Sequence, residues 1–163
     1  MALKVTKQDV WAGNLRDVPG GLADALSKLS AGGGSVEFLI ARRDDKHVGN
    51  GKVFVTPVTS AKAKDAAGRA GLQHAMNVAT LRVEGSDAKG IGAKITRAIA
   101  DTGVNMRGVS AAVIGTKFVA YFGFDSEDDA ETAANALKGV NARKRVSGGK
   151  KRVRKPTTRR KSR

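Results

Sequence analysis

Asp17 to Gly34 reads DVPGGLADALSKLSAGGG, and the reading of this stretch decides the fold. Val18-Pro19-Gly20-Gly21 is a turn, since proline presets φ and glycine accepts the left-handed backbone that tight turns need. Leu22, Leu26 and Leu29 follow at i, i+4 and i+7, which places them on one helix face. Gly32, Gly33 and Gly34 stop that helix. Upstream, a strand-like stretch ends in VWAGNLRD. Downstream come a second strand, SVEFLIA, a polar glycine-bearing hairpin connection, DDKHVGNG, and a third strand, KVFVTPV, closed by Pro57. Thr59 or Ser60 then caps a small-residue helix, AKAKDAAGRA.

The same order returns in the second half. NVATLRVE reads as a strand, GSDAKG as its turn, and IGAKITRAIADTG as a helix burying Ile91, Ile95 and Ala98 or Ile99. VNMRGVSAAV is a strand, Gly115-Thr116 a hairpin turn and KFVAYFGF a further strand. Ser126 caps SEDDAETAANALKG, whose early acidic residues suit the positive end of the helix dipole. Leu22 and Leu26 align with Ile91 and Ile95 at an offset of 69. Each half is β-α-β-β-α, with room for a short fourth strand at Leu72–His74 and another at Val140–Arg143. The expected class is α+β: two tandem ferredoxin-like units packed side by side, residues 1–76 and 77–142, with a tail at 143–163.

These residues resemble a known family. Asp17-Val18-Pro19-Gly20-Gly21-Leu22-Ala23 with its helix and glycine stop is similar to the opening of an ACT domain. Gly90-Ile91, Ile95 and Asp101-Thr102-Gly103-Val104-Asn105-Met106 resemble that domain's other common form. The resemblance covers roughly residues 8–140. Lys89 departs from it, standing where proline is common. It implies βαββαβ regulatory modules that bind amino acids or related small effectors where two modules pack side by side. It also implies a regulated protein partner.

In that side-by-side arrangement the strands after the two leading helices pair antiparallel across the copies. The first turn, Asp17, Val18, Pro19, Gly20, Gly21 and Leu22, then faces Val104, Asn105 and Met106. The second, with Asp87, Lys89, Gly90 and Ile91, faces Ser35 and Val36 and is the weaker site. Glycines let backbone approach a carboxylate, and the first amides of the following helix lack intrahelical partners. The Asn105 amide both donates and accepts. The plainer reading, a strand-to-helix turn with Asp17 satisfying its own backbone, stays open.

Other chemistries find little support. Without cysteine there are no disulfides, thiolate nucleophiles or sulfur-bound metals. His47 and His74 lack a neighbouring carboxylate cluster at metal spacing, so neither a metal nor a cofactor is expected. Gly49-Asn50-Gly51-Lys52 lies between strands and opens no helix, which makes it a hairpin rather than a phosphate loop. No triad, acid pair or activated nucleophile is present, so the chain is not read as an enzyme. The aromatic residues fall in segments that read as strands. Phe118, Phe122 and Phe124 share one face as core and Tyr121 points the other way; base-stacking platforms are the alternative. MALKVTKQDVW lacks the apolar stretch of a secretory signal, and no run approaches the ~20 apolar residues of a membrane span, so the cytoplasm is the expected location.

Charge is divided unevenly. Of 163 residues, 30 are Lys or Arg and 15 are Asp or Glu, for a net +15. Twelve of the cations, and no acid, lie after Val140: Arg143, Lys144, Arg145, Lys150, Lys151, Arg152, Arg154, Lys155, Arg159, Arg160, Lys161 and Arg163. So dense a polycation, with only Val146 and Val153 to bury, is expected to be disordered until it meets a polyanion. DNA or RNA phosphates are the expected partner, with a membrane-surface tether or a merely solubilising terminus as the alternatives. A non-sequence-specific nucleic-acid-associated protein using the paired domains as a scaffold is the alternative to the effector-binding regulator. A homodimer of the body is compatible with both.

Overall fold

The computed structural model describes residues 2–140. The tail, and the suggested strand at Val140–Arg143 apart from Val140 itself, lie outside them. Eight strands and four helices are described, in the order β1 (Lys4–Gln8), β2 (Trp11–Arg16), α1 (Gly21–Ala31), β3 (Phe38–Arg43), β4 (Asn50–Thr56), α2 (Ala61–Arg69), β5 (Leu72–His74), β6 (Ala79–Ser86), α3 (Ile91–Ala100), β7 (Gly108–Ile114), β8 (Lys117–Phe124) and α4 (Glu127–Lys138). They form two antiparallel four-stranded sheets, β3-β4-β2-β5 and β1-β6-β8-β7. This is an α+β protein of two ferredoxin-like, ACT-like units.

The helices form where the pattern placed them. Ile91, Ile95 and Ile99 are buried along α3. Ser60 and Ser126 cap α2 and α4, each accepting from a backbone amide at 3.1 Å. On β8, Phe118, Ala120, Phe122 and Phe124 face the helices and join Leu81, Val83 and Leu137 in the second core. The first core gathers Leu29, Val53, Val55, Val58, Ala63, Ala67 and Leu72. Gly32 lets α1 meet α2, since a Cβ there would sit 2.2 Å from that of Ala66.

Three expectations need correction. The opening stretch is two strands, because the chain breaks at Asp9-Val10. β1 leaves the first half and pairs with β6, Val5 opposite Val83, while β2 pairs with β4 and β5. The edge beside β6 is thus filled by β1, and Leu3 and Val5 pack on the second core. Second, the strands after the leading helices do not pair with each other. β3 bonds to β4 and β7 to β8, at the edges of different sheets. Third, the copies stand 70 apart in their helix regions: the left-handed pairs Gly20/Gly90 and Gly33/Gly103 and the strand starts Phe38/Gly108 agree on that spacing. Gly21 and Ala25, not Leu22 and Leu26, are therefore the counterparts of Ile91 and Ile95, and Leu29 is that of Ile99.

The copies meet through the faces of their sheets that carry no helices. Phe38 stacks on Tyr121 with ring centroids 3.9 Å apart, and Arg82 on β6 donates to Glu37 at 2.8 Å. Arg82 also holds Glu84 at 3.0 Å, and Lys4 reaches the same carboxylate at 3.5 Å. Burial pushes the Tyr121 phenol up from its ordinary pKa, with the neighbouring Arg82 charge opposing.

Leu81 is fully buried at the centre of the second core. Leu81→Ala should lower the free energy of unfolding by about 2–5 kcal/mol, read from urea denaturation. Val48→Ala, on a side chain 98% exposed, should stay within about 0.5 kcal/mol of the parent.

The β3–β4 hairpin supplies a pH-dependent element. The His47 ring, 2.9 Å from Asp44, holds that carboxyl below its ordinary value, helped by the Lys46 amide and Lys52 and opposed by burial. A folded pKa below the unfolded one contributes stability that is present above the unfolded value and lost as pH falls through the folded one. Asp44→Asn should therefore flatten the acid limb of the stability curve below about pH 4 and leave its shape at neutral pH unchanged, read from urea midpoints across pH.

Candidate functional site

Both leading helices are entered in the same unusual way. Gly20 before α1 and Gly90 before α3 are left-handed, and neither helix has a side chain capping its N-terminus. The trailing helices α2 and α4 carry serine caps. The first amide of each helix is taken by the turn itself, Gly21 N–H donating to the Val18 carbonyl and Ile91 N–H to the Ala88 carbonyl, each at 3.0 Å. The next two amides have no capping side chain, which suits them to an acceptor such as a carboxylate. Each turn is hooked to its own copy's hairpin by one backbone bond. Asp17 N–H donates to the Gly49 carbonyl at 2.9 Å, and Asp87 N–H to the Thr116 carbonyl at 2.8 Å.

At the second turn this entry opens onto a groove of about 530 Å³. Asp87, Lys89, Gly90, Ile91 and Gly92 form one end, and Ile95 and Thr96 continue the α3 wall. The opposite wall is the helix-side face of β7, Val109, Ala111 and Val113, over a floor of Phe118, Ala120 and Phe122. As an edge strand β7 leaves Val109 and Val113 more than half exposed. A Cβ on Gly92 would meet nothing within 4 Å. Charged and amide groups lie at one end of this groove and hydrocarbon along the rest, the arrangement that suits a small zwitterion with an apolar side chain.

Ser35 and Val36 are not part of this lining. Val36 packs on the first core, and Ser35 is exposed in the connection before β3. At the first turn, Asp17 pairs with Arg43 at 3.0 Å, Val18 is about half exposed and Leu22 packs on the first core. Val104 and Met106 pack on the second core, with Asn105 exposed between them. The contacts of Asp17 thus stay within the first copy. Sequence reasoning found the turns but missed Gly92, Thr96 and the β7 wall. The alternation of Val109, Ala111 and Val113 carried the signal.

His47 bonds Asp44, and His74 lies 3.7 Å from Asp9 and edge-on to Trp11. Among the described residues no group of three or more potential ligands is placed to hold a metal, and no helix is long and apolar enough to cross a membrane.

Solved structures share this architecture. The regulatory subunit of aspartate kinase from Thermus thermophilus, in its ligand-free form, superposes with a TM-score of 0.60 at 17% identity, covering 84% of this chain and 95% of that one. Protein BT0572 from Bacteroides thetaiotaomicron gives 0.65 at 13% identity, with 85% and 99% covered. The regulatory subunit of aspartate kinase from Thermus flavus gives 0.53 at 18% identity, with 84% and 95% covered. No protein-family model and no curated protein sequence matches the chain. At these identities the likeness is one of fold alone.

Replacing Gly90 by alanine would force a side chain into a left-handed backbone, φ +80. Gly90→Ala should destabilise the protein by about 1–2 kcal/mol although its Cβ has open space, and Gly92→Ala, in the helix proper, should stabilise it by up to about 1 kcal/mol; paired thermal melts check both signs.

Proposed function

We propose that the chain is a small-effector-binding regulatory protein, and that the effector is an amino acid or a close relative held in the groove between α3 and β7. The single observation that carries this is the uncapped, glycine-entered start of α3 opening on that groove. Lys89 and the amides of Gly92 and Ala93 receive the carboxylate, Asp87 the ammonium, and Ile95, Val109, Val113 and Phe122 the side chain. The regulatory-subunit fold of the structural neighbours supports the reading, with a protein partner as the object of regulation. The first turn, Asp17–Leu22, with Asn105, is a second candidate station, supported by the same uncapped entry at α1 and the exposure of the Asn105 amide.

Calorimetric titration of the full chain with the twenty amino acids tests this. One or a few should bind. Gly92→Leu should keep the melting temperature within a few degrees while filling the groove and abolishing the heat. Lys89→Gln should weaken binding by about ten- to a hundredfold, the loss of one charge-assisted bond. Silence from all twenty removes the sensing role. Binding that survives Gly92→Leu but falls with Asn105→Ala moves it to the first turn.

For the tail we propose a polyanion, DNA or RNA, as partner, tethering the body without reading sequence. The support is the charge division: all twelve tail cations unopposed, against a body of nearly balanced charge. If about half of them engage phosphates, the log–log slope of affinity against salt should be near −5. Anisotropy titrations on two unrelated duplexes, with the full chain and with residues 1–140, check this: full-length binding alike on both, little from the body.

A further inference from the structure

A second cavity, separate from the groove beneath α3, opens where the helix-free faces of the two sheets part beside the Phe38–Tyr121 stack. It encloses about 300 Å³. Ile40 and Phe54 wall it on the first sheet, Tyr121 on the second, and Val78 from the connector before β6. Gly108 and Gly123 face each other across the β7–β8 ladder and leave a bare strip of backbone there, flanked by the small side chains of Thr80 and Ser110; a Cβ on Gly108 would meet nothing within 4 Å. The result is a slot between a sheet surface of glycines and small hydroxyl side chains and a set of aromatic and branched ones. A flat ring fits such a slot, and stacking on Phe38, Phe54 or Tyr121 favours it.

The cavity's charge is of one sign. Arg42 and Arg107 line it, and no aspartate or glutamate does. Arg107 spends one nitrogen on the Asn77 carbonyl at 3.0 Å and on Asp125 at 3.3 Å, leaving other donors of its fork. Arg42 shares its strand face with Phe38 and Ile40 and makes no ion pair among the described residues, whereas its neighbour Arg43 is taken by Asp17 and Arg82 by Glu37 and Glu84. A guanidinium presented beside an apolar slot matches a planar carboxylate. With no acid in the lining, an ammonium on the same molecule would go unanswered.

We propose that this inter-sheet cleft is a binding site for an aromatic carboxylate without an amino group, its ring between the two sheets and its carboxylate on Arg42. The site is distinct from the amino-acid groove in position and in selectivity, and it stands or falls independently of that reading. A ligand there touches both copies at once and so favours their present face-to-face arrangement.

The probes are phenylacetate, indole-3-acetate and, as the matched control, phenylalanine, titrated calorimetrically into the full chain. Phenylacetate or indole-3-acetate should saturate with Kd below about 1 mM, and phenylalanine should compete for this site at least tenfold more weakly. Arg42→Gln should weaken the carboxylates by about tenfold or more. Gly108→Val should abolish their binding while circular dichroism and melting stay at parent values, and Gly92→Leu should leave it unchanged. Should Gly108→Val unfold the protein, a nuclear Overhauser contact from the bound ring to Tyr121, the chain's one tyrosine, serves in its place. No saturable binding of either carboxylate overturns the proposal. So does binding that Arg42→Gln leaves intact, that Gly92→Leu removes, or that phenylalanine matches.

Discussion

The pairing of β1 with β6 is the constraint on which the rest of the molecule depends. It makes the second unit discontinuous: its first strand is Lys4–Gln8, and everything from β2 to β5 is set between that strand and the next. Two crossings, at Asp9-Val10 and at Ala75–Val78, then have to run side by side. A backbone bond of 2.8 Å from the Ala75 N–H to the Val10 carbonyl ties them. With both connections of the inserted unit anchored at one place, its helix-free sheet face is brought against that of the host. The aromatic stack and the Glu37–Arg82 pair lie on those facing surfaces.

Energetically, this contact is modest. The Phe38–Tyr121 stack is worth about 0.5–1.5 kcal/mol beyond its burial. Glu37 is half exposed, which keeps its pair with Arg82 near the surface value of about 0–1 kcal/mol. The Nε of Arg82 is buried without a hydrogen-bond partner, a small cost set against the two carboxylates that its other nitrogens hold. The two chain crossings hold the copies together covalently, so the noncovalent interface need only choose their orientation.

Much of each unit could be read locally. The span of β8, the two-residue turn before it, the serine caps and the isoleucine face of α3 follow from residues within a few positions of one another. The split between β1 and β2 could not be read that way. KVTKQDVW carries no glycine or proline to mark a break, and only the distant edge of β6 decides that it is two. The late starts of β3 and β7 have a related cause. After the left-handed Gly33 and Gly103 the chain runs through a short connector that lays Val36 and Met106 on the cores before any ladder begins. Residues that looked like strand beginnings facing a neighbouring copy are therefore the ends of a helix-to-strand connection. For the candidate site this meant that the turns were visible in the sequence and their opposing walls were not.

The discontinuous unit also has a consequence in time. During synthesis β1 emerges before its hydrogen-bonding partner β6, which lies more than seventy residues downstream, so theirs is the longest-range strand pairing in the fold. The inserted unit, complete once β5 has been made, contains all its own strand partners and is free to collapse early. Until β6 appears, Lys4–Gln8 is an unclaimed strand of mixed polarity, and two of its five residues are lysines, a composition that discourages wrong edge pairing while it waits. The order of assembly is thereby written into the topology: inner unit first, outer unit closed around it, and the contact between sheets last of all.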